Sequence, residues 1–196
     1  MIAYKGFTAE LWSRLGNGNK ETCSFKIGET KTVPESKTAR NGFHCCENPF
    51  NCLTYYHMNG ENRFFKVEAS GDIDEDDSHR IACTSIKLLE ELSPVKFAIE
   101  GVKYMVMHPH RENWQQFHET VQVKKNTCEA YAADDIAIAR GINPMVKGPK
   151  GSLLGLLVEN KDGDIVNAKI IKVGDRKANK WLYLTDKRQV KEIEES

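Results

Sequence analysis

The sequence predicts a mixed α+β chain in which strand outweighs helix. It divides near residue 120 into an N-terminal mixed sheet with short helices (1–120) and a C-terminal β domain (121–196). Three observations carry that prediction. Several short runs alternate apolar and polar residues at period two, the mark of half-buried strands. A helical stripe of useful length occurs at 94–107, where Val95, Ala98, Ile99, Val102 and Met105-Val106 recur with one interruption at Gly101. From Val121 onward, short β-like runs are broken by glycine and proline. The chain has 196 residues, 40% of them hydrophobic, enough for a full core. Its 28 basic and 28 acidic residues cancel, so no global field recruits nucleic acid or an anionic membrane. No apolar run approaches the roughly 20 residues that span a bilayer, and no apolar signal core stands at the start. The expectation is a cytoplasmic protein whose six cysteines are mostly free thiols.

In chain order, residues 1–7 read as a strand ending at Gly6, and Thr8 caps a single turn through Leu11 and Trp12. Gly16-Asn17-Gly18-Asn19 reads as a loop. Cys23, Phe25 and Ile27 alternate with polar residues and suggest a strand that stops at Gly28. Residues 29–40 are polar and irregular. The central unit, 41–56, combines a turn at Asn41-Gly42, a short strand through Phe43, His44, Cys45 and Cys46, and a helix start at Asn48-Pro49. Asn48 suits an N-cap and Pro49 the first helical position. Cys52, Tyr55 and Tyr56 then follow at helical spacing.

Residues 63–69 form the next strand. The acidic run from Asp72 to Asp77 offers oxygen ligands, but it lacks the central glycine and terminal glutamate of a calcium loop and reads as a solvated loop. Residues 79–86 are a strand, and 87–92 are too short to assign. In the C-terminal region, Thr127 to Ala132 and Asp135 to Gly141 look like irregular repeats, suggesting one or two coils of a β-solenoid. Residues 153–158 and 165–173 flank a hairpin turn at Asp162-Gly163, with both central residues expected at positive φ. Residues 181–184 and 190–193 make a second pair, so an antiparallel meander caps the coils.

The candidate site centres on His44. The expected geometry sets the first strand beside the strand of His44, so that Lys5, His44 and Tyr55 or Tyr56 border one concave surface, with Tyr4 alongside. Gly6 permits close backbone approach, Lys5 supplies charge to an anion, and the amides of the Asn48-capped helix supply donors. His44 suits general acid/base chemistry near neutral pH, but it equally suits a structural tie to the backbone, and the residues favour the latter. Cys45 or Cys46, beside a helix start, is a weak nucleophile signal. His44, Cys46, Cys52 and His57 are weak zinc candidates without a Cys-x-x-Cys turn. His108, His110 and His118 cluster near Trp114 and Phe117 and read as surface. Arg140-Gly141 and residues 147–151 give local positive charge without interleaved aromatics, a thin nucleic-acid signal.

Tyr4-Lys5-Gly6-Phe7, Gly42-Phe43-His44-Cys45-Cys46-Glu47-Asn48-Pro49, and Phe64 to Glu68 followed by Gly71-Asp72-Ile73 resemble a family of uncharacterised phage and prophage proteins. Residues 151–154 and 181–184 resemble that family's C-terminal cap. The resemblance implies this architecture with a shortened repeat array, and a phage or prophage setting. A second likeness, in motif order, is to ADP-ribosyltransferase-like folds. It implies that Lys5-Gly6 and Phe43-His44 face the nicotinamide end of NAD, with Glu68 as the nearest strand glutamate. Lys5 stands where those folds carry His or Arg, and neither a Ser-Thr-Ser nor a Glu-x-Glu motif occurs.

Two function classes follow. The first is an interaction protein that engages a host or virion protein, needs no cofactor, and has its C-terminal β region as a candidate for self-association. The second is an NAD- or nucleotide-binding enzyme around Lys5, Gly6, Phe43, His44, Tyr55 and Tyr56, with His44 and Glu68 as candidate catalytic residues. Whether a pocket lies beside His44 distinguishes them.

Overall fold

The computed structural model describes residues 1–13, 24–75 and 80–193. The fold is mixed α+β and mainly β, built on two sheets that do not close. The chain divides into two compact units, Met1–Phe97 and Ala98–Ser196. The compositional change near residue 120 lies inside the second unit, just before its long strands. Among the described residues no helix is long and apolar enough to cross a membrane.

The first unit holds β1 (Ile2–Thr8), β2 (Thr30–Thr32), β3 (Phe43–Cys45), β4 (Asn62–Glu75) and β5 (Ile81–Leu92) in one antiparallel sheet. The order is β1-β4-β5-β2, with β3 also on β5. Beyond β3, Cys46 makes an isolated bridge to Tyr4 through two amide–carbonyl bonds of 2.7 Å. The sheet therefore curls until the outer edge of β1 meets the residue after β3. Inside the curl lie Phe7, Phe25, Phe43, Phe65, Val67, Ile86 and Leu88, all buried. Phe7 sits 4.9 Å from Phe25 and 5.6 Å from Phe65, centroid to centroid, and Phe25 sits 5.8 Å from Phe43. Each such tilted or edge-on pair adds about 0.5–1.5 kcal/mol beyond the area it buries.

Several local expectations need correction. β1 does not stop at Gly6 but runs to Thr8. There the Leu11 amide donates to the Thr8 carbonyl and the Trp12 amide to Thr8 Oγ1, forming the expected turn. Cys23 lies outside the described residues, and Phe25 and Ile27 form no strand: Phe25 is core and Ile27 is exposed in a turn. Residues 87–92 are strand, the end of β5. The stretch Asp72-Ile73-Asp74-Glu75 is not a loop but the end of β4, which continues past a register break at Ser70/Ile73. Gly71 sits in that break at φ +79, and a Cβ there would lie 2.1 Å from Thr84 Oγ1. Only a glycine meets both conditions.

Asp74 has a partner of its own. Lys37 Nζ donates to its Oδ1 at 2.8 Å, and the Thr38 hydroxyl and amide donate to Oδ2 at 2.6 and 2.7 Å. These bonds, the Lys37 bond foremost, hold its carboxyl well below the usual carboxylate range. A depressed folded-state pKa stabilises above the unfolded value and is lost as pH falls through the folded one. Asp74→Asn should therefore lower the melting temperature at neutral pH. Its deficit against the parent should shrink as pH drops below the ordinary carboxylate range, read by thermal scans across pH.

Helix α1 (Pro94–Met107) begins in the first unit and ends in the second. Its buried face is Phe97, Ala98, Gly101, Val102, Tyr104 and Met105, while Val95, Ile99 and Val106 of the expected stripe are exposed. The second unit adds β6 (Gln116–Phe117), β7 (Val121–Glu129), β8 (Ile136–Lys147), β9 (Leu153–Glu159), β10 (Ile165–Lys172), β11 (Leu182–Leu184) and β12 (Val190–Glu192). β7, β8 and β9 are parallel, with Val121 opposite Ile136 and Ile136 opposite Leu153. Parallel neighbours ordinarily need a crossover of about a dozen residues. Here the links are only 130–135 and 148–152. The register break at Lys125/Thr127, with Asn126 at φ +66, bends β7 and shortens the return path. Asp135 staples the first link by accepting from the amides of Tyr131 and Ala132 at 2.9 and 2.8 Å.

β9 and β10 form the expected hairpin, and β11 and β12 a second antiparallel pair. At the β9–β10 turn only Gly163 takes positive φ. The loop is instead organised by Asn160, whose Oδ1 accepts from the amides of Asp162 and Asp164 at 2.9 Å each.

Candidate functional site

Beside His44 the first unit contains a cavity of about 30 Å³, lined by Tyr4, Lys5, Gly6, His44, Cys45, Cys46, Cys52, Tyr55, Tyr56 and Arg80. Three short pieces of chain meet there. β1 contributes Tyr4 to Gly6, and the bridge at Tyr4 and Cys46 sets β1 against the end of β3. The segment then turns at Asn48, whose Oδ1 accepts the Phe50 amide at 3.0 Å, into a 3-10 helix, Pro49–Thr54. That helix swings Cys52, Tyr55 and Tyr56 back over β1. Tyr56 lies on Gly6 so closely that a Cβ at residue 6 would stand 2.5–2.8 Å from its ring and Cβ carbons. The glycine is thus a contact surface for the tyrosine.

The structure brings Lys5, Gly6, His44, Tyr55 and Tyr56 together around one space, yet their polar groups differ from the expected arrangement. Ala3 and Phe7 belong to the inner core, and Lys5 shares their face of β1, 5.3 Å from the Phe7 ring centroid. His44 lies between the core residues Phe43 and Cys45, so its imidazole leaves β3 on the other face. Lys5 is 5% exposed, and its ammonium donates to the His44 carbonyl at 2.6 Å rather than facing an anion beside the imidazole. His44 is half-buried, and its Nε2 accepts the Ala39 amide at 3.1 Å, a structural tie. The helix offers no anion site either: it is one short 3-10 helix whose first amides go to Asn48.

The remaining candidates fall elsewhere. Phe43 is core, outside the cavity lining, and Glu68 is exposed on β4, also outside it. His57 is exposed. Among the described residues no group of three or more His, Cys, Asp or Glu is placed to hold a metal. In the second unit the three histidines do not converge. His110 pairs with Asp164 at 2.9 Å, His118 Nε2 meets Gln116 Oε1 at 3.0 Å, and the His108 ring lies 4.5 Å from Tyr104. Arg140 gives no surface charge, because it is buried against Glu159. Lys147 and Lys150 pair with Glu129 and Asp175.

Two features of the site escaped the sequence. Arg80 reaches the cavity because Ile81 stands opposite Cys45, which carries the residue before it toward Cys46. Cys83 joins Cys45 by the same pairing, on the diagonal position of the adjacent strand. The Cys83 thiol donates to the Phe43 carbonyl at 3.4 Å. A bond with Cys83, reinforced by burial, pushes the Cys45 thiol up. The same bond, helped by Lys5, holds Cys83 lower. Burial, with a bond to Cys46, pushes Cys52 up. A strand pairing is needed to see these contacts, and no local motif encodes it.

A larger, open cleft of about 450 Å³ lies between Met58, Gly60 and Phe64 on one side and Leu92, Ser93 and Pro94 on the other. Its charged residues, Arg63 and Glu91, are paired with each other at 2.5 Å. That pairing raises the guanidinium and lowers the carboxyl.

Comparison with curated proteins and with solved structures gives no match. Residues 1–100 match the family described as Domain of unknown function (DUF7666), which spans the curled sheet and the His44 cavity. With half of its length covered, the chain belongs to the DUF7666 family.

Proposed function

We propose that the chain is a phage- or prophage-encoded interaction protein that engages a host or virion protein. The observation that carries this reading is the state of the His44 cavity. A cavity needs roughly 10–15 Å³ to hold a water, so about 30 Å³ admits one or two. A small-molecule site is usually roughly 300 Å³ or more. The Lys5 ammonium and the His44 Nε2 are both occupied by backbone groups. The alternative, an ADP-ribosyltransferase-like enzyme that holds NAD around His44, rests on motif order. It would need the Tyr56–Gly6 contact to open.

Support for a partner surface comes from the second unit, where Phe117, Tyr131, Ile142 and Val166 are each more than half exposed. The parallel β7, β8 and β9 with short, stapled links support reading that unit as short solenoid-type coils capped by β11 and β12. Titration calorimetry with NAD and with ADP-ribose should give no heat, whereas saturable binding of either would favour the enzyme. Cross-linking in infected or lysogenic host cells should capture a phage or host protein with the parent chain. A Phe117→Ser/Tyr131→Ser variant of unchanged melting temperature should lose it. Identical capture by both would overturn the surface.

A further inference from the structure

Four buried cysteines, Cys45, Cys46, Cys52 and Cys83, lie close together, and the charge of the buried Lys5 acts on Cys45, Cys52 and Cys83. Among the described residues Lys5 makes no ion pair, and its hydrogen bond goes to a carbonyl. An ammonium shut away from water is costly unless an anion faces it. Thiols are among the groups beside it that can become anions. We propose that Cys46 and Cys52 form a redox dithiol, a site where a peroxide of near-water size converts the two thiols into a disulfide.

The geometry selects this pair. Cys46 and Cys52 both line the cavity, which has room for one or two water-sized molecules, and a bond between their thiols is among the causes that push Cys52 up. Cys83 does not line it. Cys45 and Cys83 are diagonal neighbours on paired strands, where Cα atoms lie about 7–8 Å apart, at or past the limit of roughly 7 Å for a bridge. Cys52 instead sits on a short 3-10 helix, free of strand register. In the proposed order Cys46 attacks first and Cys52 second. The Cys46 thiolate displaces hydroxide from the peroxide O–O bond and becomes a sulfenic acid. The Cys52 sulfur then attacks that sulfur and displaces a second hydroxide. Each hydroxide takes up one thiol proton, so two thiols and one hydrogen peroxide give one disulfide and two waters. The thiols lose two electrons and the peroxide gains them.

The test is peptide mapping of the native full chain after hydrogen peroxide, with remaining thiols alkylated under denaturing conditions. Cys45, Cys46 and Cys52 share the tryptic peptide 41–63, and Cys83 lies on 81–87. The expected result is peptide 41–63 lighter by two hydrogens, alkylated at Cys45 alone, and restored by dithiothreitol. The bond should vanish in Cys46→Ser and Cys52→Ser and persist in Cys45→Ser. Fragmentation of the parent peptide decides the matter by itself if a variant fails to fold. Full alkylation of Cys46 and Cys52 after oxidation, a link from 41–63 to 81–87, or oxidation that ends at sulfonic acid would each overturn the proposal.

Discussion

Arg140→Met is expected to cost about 3–5 kcal/mol in urea unfolding, the usual loss when one partner of a buried ion pair is removed. Arg140 lies on β8 with 3% of its side chain exposed. Its Nε donates to Glu159 Oε1, and its Nη2 donates to the Pro109 carbonyl and, at 3.3 Å, to the Gly163 carbonyl. Its guanidinium stacks 4.6 Å from the Trp114 ring centroid. One side chain therefore ties β9, the β9–β10 turn and the segment after α1 to β8. The methionine fills much of the volume but leaves Glu159, only 16% exposed, without its counter-charge. Arg140→Met/Glu159→Gln should recover part of the loss, because the stranded carboxylate is gone. A single-variant cost below about 1 kcal/mol, the range of exposed pairs, would show that the tie is not structural.

Tyr56→Ala should cost about 3–5 kcal/mol, the range for truncating a large buried aromatic. Tyr56 is 4% exposed and forms one wall of the His44 cavity. The converse change, Gly6→Ala, forces a methyl into its ring and should cost about 1–3 kcal/mol by overpacking. Because both act on one contact, the double variant should fall short of the sum: the alanine at residue 6 occupies space that the missing ring has vacated. Additive losses in chemical denaturation would mean that residues 6 and 56 do not press on each other. The same series probes the cavity, since Tyr56→Ala enlarges it and gives a NAD-sized ligand its best chance to bind.

What local chemistry controls was readable from residues alone. Asn48 before Pro49 placed the N-cap, Thr8 its turn, and residues 94–107 their helix, because each depends on groups within one turn of chain. Gly6 reads as a point of close approach, and Tyr4, Lys5, Tyr55 and Tyr56 as neighbours of His44, because a strand, a sharp turn and a short helix leave few ways to fold back. Which face each side chain took was decided only by tertiary pairing. Alternation places Lys5 and His44 on opposite faces once Ala3, Phe7, Phe43 and Cys45 are committed to one core, and nothing local announces that commitment. The same holds for Asp74, which reads as solvated in sequence yet is drawn into β4 by its pairing with Ala82 and by its bonds to Lys37 and Thr38. Arg140 reads as surface charge and is buried because Glu159 and two carbonyls arrive from distant segments. The meeting of Cys45 with Cys83 depends on a register between strands almost forty residues apart. Short-range hydrogen bonding is written in the order of the residues, whereas the desolvation and pairing of charged and thiol groups are set by partners that only the folded sheet supplies.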